Sequence, residues 1–298
     1  MQIRIGSRGS DLALWQAHHI KNQLEHLGAS VTITIIKTKG DAIQNLSFDK
    51  LEGKGFFTKE IEEALLNNEI DLAVHSHKDL ETNQPEGLQI ACVSEREDPA
   101  DLLLINQNAV DDKQTFNLKK GAIVGTSSAR RKAQLVSLFD EVEIKDIRGN
   151  VPTRIQKLAD GQFDAILLAK AGVDRLKINL DQFKTVRLDP VSFIPAPAQG
   201  VLALQIRESD TELNALLQTI NHPDVQLKIG IERKVLQLMK GGCQLPLGVY
   251  CDDEFKIHVA FAKTWEEGTI FNTYESEGVE HIAETIVHDL ISDNSNEW

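Results

Sequence analysis

Residues 3–37 read IRIGSRGSDLALWQAHHIKNQLEHLGASVTITIIK, and this stretch decides the fold. The short stretch IRIG at 3–6 predicts a buried strand, and the alternating β-branched residues at 31–37 predict a second one. Between them, apolar residues recur at roughly helical spacing, with Ser10 or Asp11 placed to cap the helix. A strand, a helix and a strand in this order predict a parallel pair joined by a right-handed crossover.

The alternation of strands and helices continues along the chain. Strands are predicted at 71–75 and 88–93, and a second α/β block begins with a strand at 102–105. A charged segment that ends at Pro99 and a proline-rich run at 190–197 are typical of crossings between two such blocks. The sequence therefore predicts an α/β fold built from two blocks.

The pattern changes after residue 211. Two helical segments lead to Gly241, and three strands followed by a helix then complete the sequence, which predicts a small α+β domain. We expect three domains with these bounds: 1–96 with 198–216, then 97–197, then 217–298.

The composition argues against several classes of protein. The 298 residues carry a net charge of −13, which disfavours a general nucleic-acid or anionic-membrane binder. The three cysteines, Cys92, Cys243 and Cys251, are too few for a disulfide framework and lack metal-ligand spacing. Because the cysteines lack that spacing, we expect no bound metal. No secretory signal and no apolar run of about 18 residues is visible, so we expect a cytoplasmic protein.

Polar and basic residues follow the ends of the predicted strands. Ligands of open α/β sheets bind at this edge, and guanidinium groups match carboxylates and phosphates. Any one arginine here can equally be a solvated helix residue or a salt-bridge partner, but the group as a whole favours a ligand with several negative charges. The residues are Arg8, Ser10, Lys78, Asp79, Thr126, Ser127, Ser128, Arg130, Arg131, Arg148, Arg154 and Arg175.

Two further residues suggest chemistry. Asp79 is the acid of this set that comes just after a strand, and it can stabilise a cation or move a proton, or simply cap a turn. Cys243 follows Gly241 and Gly242. Either these glycines leave its thiol accessible, or they end a helix and Cys243 is simply a small apolar residue beside that end. Cys92 and Cys251 lie in apolar strands and are expected to be buried.

The chain closely resembles the hydroxymethylbilane synthase, or porphobilinogen deaminase, family over nearly its whole length. Each matching segment is modest alone, but all of them in this order are specific. The segments are LALWQA at 12–17, GKGFF at 53–57, AVHSHKD at 73–79, EREDP at 95–99, VGTSSARR at 124–131, RGNVPTR at 148–154, QG at 199–200 and GGCQ at 241–244.

The resemblance implies two lobes like those of periplasmic binding proteins and a third small α+β domain. It implies a cytoplasmic, monomeric transferase of porphyrin and haem biosynthesis. Such an enzyme condenses four porphobilinogens head to tail with loss of ammonia and releases hydroxymethylbilane. The resemblance also implies a dipyrromethane cofactor, which is made from the substrate and held by a thioether at Cys243.

The resemblance further assigns roles to individual residues. Asp79 matches the catalytic acid, and Lys50 and Lys54 match a lid loop. The cofactor-binding residues are Cys243, Lys78, Thr126, Ser128, Arg130 and Arg131. The substrate-binding residues are Arg8, Ser10, Arg148, Arg154, Arg175 and Gln199.

The sequence departs from the family pattern at His77, Glu52, Pro152 and Pro197, none of which removes a residue with an assigned role. The alternative from another class is a non-catalytic, cytosolic polyanion-binding protein with two similar lobes, because a fold alone does not fix a function.

Overall fold

The computed structural model describes residues 1–38, 58–139, 141–242, 244–276 and 281–292. The described residues fall into two compact units. The first holds 1–38, 58–97 and 200–226, and the second holds the described residues of 98–199 and from 227 onward. The predicted lid residues Lys50 and Lys54, with Glu52, and the predicted attachment residue Cys243 lie outside the described residues.

The helices and strands are, in chain order, β1 (Gln2–Ser7), α1 (Asp11–His26), β2 (Ser30–Ile35), α2 (Lys59–Leu66), β3 (Leu72–Ser76), β4 (Leu88–Val93), β5 (Asp101–Asn106), β6 (Ile123–Gly125), α3 (Ala129–Leu138), β7 (Glu143–Lys145), α4 (Val151–Ala159), β8 (Ala165–Ala169), α5 (Lys170–Leu176), β9 (Phe183–Arg187), β10 (Leu202–Arg207), α6 (Thr211–Gln218), α7 (Pro223–Leu238), β11 (Leu247–Cys251), β12 (Lys256–Phe261), β13 (Ile270–Glu275) and α8 (Ile282–Ser292).

The sheet of the first unit has the strand order β2-β1-β3-β10-β4. The parallel pairing of β1 with β2 confirms the prediction from the opening sequence, and Ser10 caps α1 as expected. β10 is antiparallel to both of its neighbours. One core, which includes Ile5, Ile20 and Leu204, joins the sheet to α1 and α6, and a second core joins it to α2.

The sheet of the second unit repeats this topology in the order β7-β6-β8-β5-β9. Here too the three strands β7, β6 and β8 are parallel, and the antiparallel strand is the fourth. In both sheets that strand is the first one after the chain enters the unit, after Glu97 for β5 and after Gln199 for β10. The predicted α/β fold with two lobes of one kind is therefore confirmed.

The C-terminal part of the second unit is a separate antiparallel sheet with the order β11-β12-β13, as predicted. Its core, which includes Val235, Val249 and Ile286, joins the sheet to α7 and α8. The predicted three-domain bounds stay a prediction, since the compact units number two.

Two elements of the second lobe were not predicted from the sequence. The helix α5 is short, contains Gly172 and begins directly where β8 ends, so it shows no helical period of its own. The strand β9 lies at the edge of its sheet, where Phe183 is buried, Lys184 and Val186 are half-buried, and Thr185 and Arg187 are exposed. Within the described part of the chain, no helix is long and apolar enough to cross a membrane.

Candidate active site

The carboxyl edge of the first sheet forms a cavity of about 90 Å³. The strand β1 ends at Ser7, just before Arg8, and the strand β3 ends at Ser76, just before a 3₁₀ turn at His77–Asp79. Because β1 and β3 are parallel neighbours, their carboxyl ends meet at one edge. The structure therefore brings Arg8, Ser10 and Asp79 together in the wall of this cavity.

The residues of this edge differ in their exposure. Asp79 is exposed and Lys78, one residue before it on the same turn, is half-buried. The Ser10 hydroxyl accepts a hydrogen bond from the backbone N–H of Ala13 at 3.4 Å, at the N-terminus of α1. The edge thus combines one acid with basic groups and a helix N-terminus, which suits a ligand carrying both a cation and carboxylates.

The two histidines of the AVHSHKD segment are both buried. His77 is 7% exposed and His75 is 6% exposed. His75 lines the cavity with Asp79, so it is the histidine that meets this site.

In the second lobe, Arg130, Arg131 and Gln199 converge on a buried acid, Asp101. Asp101 Oδ2 accepts from Arg130 Nη1 at 2.8 Å, and Oδ1 accepts from Arg131 Nη2 at 2.7 Å. Gln199 Nε2 also donates to Oδ1 at 2.9 Å. Asp101 reaches this edge because β5 is antiparallel, which places its first residue beside Ala169 at the carboxyl end of β8.

The charges of this cluster depend on one another. Burial alone would raise the pKa of Asp101, but the two guanidinium charges outweigh it and hold that pKa well below the ordinary value. Burial lowers the pKa of Arg130, and the Asp101 carboxylate opposes that change. With one anion between two cations, the cluster keeps one net positive charge to offer an anionic ligand.

The cluster is also fixed to the backbone. Arg130 Nη1 donates to the carbonyl of Ile194 at 2.8 Å, and Arg131 Nη1 donates to the carbonyl of Leu167 at 3.0 Å. Both guanidinium groups are therefore held in place before any ligand arrives. Sequence reasoning missed Asp101, whose signal was an acid at the head of the apolar run DLLLI at 101–105.

The segment between β6 and α3 supplies the N-terminus of a helix at the same edge. Ser128 caps α3 by accepting from the Arg131 N–H at 3.5 Å. Thr126 is buried, and its Oγ1 accepts from the Ser128 N–H at 3.3 Å. The hydroxyl of Ser127 bonds the backbone of Ile147, which ties this segment to the next one. The side chains of Thr126 and Ser127 therefore stabilise this turn through hydrogen bonds to the backbone.

The segment after β7 carries two of the predicted arginines. Asn150 caps α4 by accepting from the Thr153 N–H at 2.9 Å, and Arg154 Nε donates back to the carbonyl of Gly149 at 2.8 Å. Gly149 has φ +114° here, a conformation that favours glycine. Arg148 immediately precedes this turn. Arg175 lies on α5, just past the end of β8, and is 6% exposed.

The described residues contain no group of three or more His, Cys, Asp or Glu side chains that could hold a metal ion. Cys92 and Cys251 are both buried. Burial raises the pKa of Cys92 to about 12, so its thiol is not a nucleophile at neutral pH.

These features define an α/β protein of two like lobes, with basic side chains and one acid at the sheet edges where ligands of such folds bind. Residues 3–215 match the profile of a family described as porphobilinogen deaminase, dipyromethane cofactor binding domain.

Curated relatives of the chain carry the name porphobilinogen deaminase. One from Nitratidesulfovibrio vulgaris strain DP4 is 44% identical over 281 residues, which cover 92% of this chain and 87% of the relative. One from Nostoc sp. strain PCC 7120 is 43% identical over 83% of this chain and 76% of its own length.

Solved structures similar to this one include a putative methionine-binding lipoprotein of Bacillus subtilis, at 11% identity and a TM-score of 0.44 over 76% of this chain and 92% of that one. Another is an arginine-specific periplasmic binding protein of Salmonella typhimurium, at 13% identity and a TM-score of 0.41 over 75% of this chain and 95% of that one. On the family profile and the curated relatives, the chain belongs to the porphobilinogen deaminase family.

Proposed function

We infer that the chain is a hydroxymethylbilane synthase, a transferase of porphyrin and haem biosynthesis. It condenses four porphobilinogens head to tail with loss of ammonia and releases the linear tetrapyrrole. The observation that carries this function is the cavity in which Asp79 lies beside Arg8 and Ser10. Porphobilinogen is a pyrrole with an aminomethyl group, an acetate and a propionate. It therefore needs a carboxylate near its cationic aminomethyl group and hydrogen-bond donors for its own carboxylates.

Asp79 is the proposed catalytic residue. Each addition breaks the bond between the aminomethyl carbon and nitrogen, and the ring becomes positively charged as ammonia leaves. The Asp79 carboxylate stabilises this charge, and it takes the α-proton that the acceptor ring loses when the new carbon–carbon bond forms. Arg8 and Ser10 hold carboxylates of the incoming ring.

The donors of the second lobe are proposed to bind the cofactor and the growing chain. Dipyrromethane carries acetates and propionates, and the positively charged cluster around Asp101 with the N-terminus of α3 suits such groups. We assign cofactor binding to Lys78, Thr126, Ser128, Arg130 and Arg131, with Cys243 as the thioether anchor. We assign the substrate and the growing chain to Arg148, Arg154, Arg175 and Gln199.

When bound, the cofactor supplies the first acceptor ring, so the chain's own residues have to bind, orient and protect the reacting ends. Lys50 and Lys54 are proposed to belong to a lid that excludes water. We further propose that the protein is a cytoplasmic monomer that uses neither nucleic acid nor a membrane, which agrees with its net charge of −13.

The test is to incubate purified protein with porphobilinogen and to measure ammonia and tetrapyrrole. We expect one bilane for four ammonias, and a loss of at least 100-fold in turnover for Asp79→Asn. The matched control is Asp253→Asn, which changes a carboxylate that is 98% exposed, and it should keep full turnover.

Intact-mass measurement should show two pyrrole units on the wild type and none on Cys243→Ser. Tight binding of porphobilinogen without ammonia release would instead support the non-catalytic polyanion-binding protein, which membership of this enzyme family does not favour.

A further inference from the structure

A chain of buried hydrogen bonds lies behind the wall of the Asp79 cavity. His75 Nε2 is 3.1 Å from Gln205 Oε1. Gln205 Nε2 donates to Glu62 Oε1 at 3.2 Å and to Gln84 Oε1 at 2.8 Å. Gln205 is fully buried, and Glu62 is 9% exposed. None of these four residues was predicted from the sequence to belong to a site.

The sheet register explains why these side chains meet. In the antiparallel pair of β10 and β3, Ala203 lies opposite His75 and Gln205 lies opposite Ala73. Residues opposite each other, and residues two apart, project from the same face of a sheet. His75 and Gln205 are therefore diagonal neighbours on one face. Glu62 comes from α2, which packs on this face through Ile61 and Leu65.

The hydrogen bonds fix the direction in which each amide points. Gln84 Nε2 donates to the carbonyl of Glu81 at 3.1 Å, so Gln84 offers its oxygen to Gln205. Both acceptors of the Gln205 amide nitrogen are oxygens, so that nitrogen is the donor to Glu62 and Gln84 and the Gln205 oxygen faces His75. An amide oxygen only accepts, and therefore His75 must carry its hydrogen on Nε2.

His75 is held in its neutral form. Burial lowers its pKa to about 4, against a smaller opposing effect of the Gln205 hydrogen bond. Arg8 and Asp79 are the charged groups that share the cavity wall with it, and Glu62 lies behind Gln205. A neutral imidazole with hydrogen on Nε2 has one hydrogen-bonding atom left, the lone pair of Nδ1, which can only accept.

We propose that His75 is a substrate contact whose Nδ1 accepts a hydrogen bond from the pyrrole N–H of a ring bound beside Asp79, with Gln205 holding the imidazole in the required tautomer. This inference rests on the proposed function, because it takes the ligand of the cavity to be porphobilinogen.

The proposal gives His75 a role in the reaction as well as in binding. When the carbon–nitrogen bond of the aminomethyl group breaks, its electron pair leaves with ammonia. The ring nitrogen donates its own pair to form the exocyclic double bond, so its N–H becomes cationic. A hydrogen bond from that N–H to a neutral acceptor is stronger in the transition state than in the bound substrate, which accelerates the step. A charged imidazolium would oppose it.

Steady-state kinetics with porphobilinogen test this with a matched pair of variants. His75→Phe keeps a ring but has no acceptor, and we expect kcat/KM to fall about 10-fold to 100-fold. His75→Asn places an amide oxygen where Nδ1 was, and kcat/KM should stay within about threefold of the wild type. Equal losses in both variants, with far-UV circular dichroism unchanged, would overturn the proposal.

Imidazole ¹⁵N NMR gives a second readout that a purely structural role would not move. The His75 signals, assigned by their absence in His75→Phe, should show hydrogen on Nε2 in the free protein. Addition of a porphobilinogen analogue without the aminomethyl group should shift the Nδ1 signal, and the shift should be lost in Gln205→Leu. An unmoved Nδ1 signal at saturation would overturn the inference alone, whereas a wild type that releases no ammonia would overturn the proposed function.

Discussion

The Arg131 guanidinium lies 2.7 Å from the carboxylate of Asp101, a residue that is completely buried. Arg130 donates a hydrogen bond to the other oxygen of the same carboxylate. A buried arginine without a counter-charge is costly, and two adjacent ones repel each other. Asp101 therefore makes it possible for two neighbouring arginines on α3 to lie at the carboxyl edge of the sheet in a fixed position.

Replacement of Asp101 by asparagine should strongly destabilise the protein. The change keeps the shape but removes the negative charge between two buried guanidinium groups, which should cost about 3–5 kcal/mol of unfolding free energy. Urea unfolding followed by circular dichroism measures the effect. The control is Glu143→Gln, which breaks an exposed ion pair with Lys145 in the same lobe and should cost no more than about 0.5 kcal/mol. Equal midpoints for the two variants would contradict the role of Asp101.

Alkylation should distinguish the three cysteines. Burial raises the pKa of Cys92 to about 12, so at pH 8 only about one thiol in 10⁴ is ionised. Cys251 is buried as well. In protein prepared without the cofactor, iodoacetamide at pH 8 should label Cys243 and leave Cys92 unlabelled, and peptide mapping by mass spectrometry shows which sites react. After denaturation in urea all three should react, and fast labelling of Cys92 in the native protein would contradict the prediction.

Much of the fold follows from local patterns, but the partners of the site residues do not. The strand–helix–strand segment 3–37 carries its own signals, and Ser10 caps the helix that these signals predict. By contrast, Arg130 and Asp101 are 29 residues apart, and His75 and Gln205 are 130 apart. Each pair meets only through the register of an antiparallel strand that joins its sheet from a distant part of the chain.

This difference explains why the sequence indicated the arginines but did not indicate Asp101, which holds them in place. A single sequence shows which residues follow a strand, since strand ends are local features. It does not show that β5 and β10 insert in the antiparallel direction, which brings Asp101 next to arginines that local patterns had already indicated and brings Gln205 next to His75. The roles of all these residues in binding and catalysis stay predictions.

Stability should depend on pH through His75. Its pKa is lowered from 6.5 to about 4 in the folded protein, so below pH 6.5 the unfolded chain binds a proton that the folded chain does not. Stability is therefore full above pH 6.5 and falls by about 3 kcal/mol as the pH falls towards 4. Burial raises the pKa of Glu62 above its ordinary value of 4.5. Protonation of Glu62 therefore stabilises the folded chain just above pH 4.5, which opposes the effect of His75.

Urea midpoints of the wild type and of His75→Phe between pH 4 and 7 measure this contribution. The variant should be less stable at pH 7 but should lose less stability on acidification, so the two curves converge. Because Glu62 is present in both proteins, its effect cancels in the comparison. Parallel curves would show that His75 is not buried in its neutral form.

Gly200 should tolerate no side chain, because of its place where the chain returns to the first lobe. Its φ is +92°, and a Cβ there would collide with the carbonyl oxygen of Glu97. Glu97 in turn donates its N–H to the carbonyl of Gly200 at 3.2 Å, so the two passages of the chain are held together at this point. Gly200→Ala adds a backbone collision to the strain of a positive φ. Together they should lower the free energy of unfolding by about 2–4 kcal/mol.

The matched control for that collision is Gly161→Ala. Gly161 has φ +73°, and a Cβ there would meet no atom within 4 Å, so only the strain of about 1 kcal/mol remains. Urea unfolding should therefore rank the wild type above Gly161→Ala and Gly161→Ala above Gly200→Ala. The difference between the two variants isolates the contact with Glu97, because both carry the same added methyl group at a positive φ. If the two variants unfold at the same urea concentration, the close approach of Glu97 and Gly200 does not constrain the chain at its return to the first lobe.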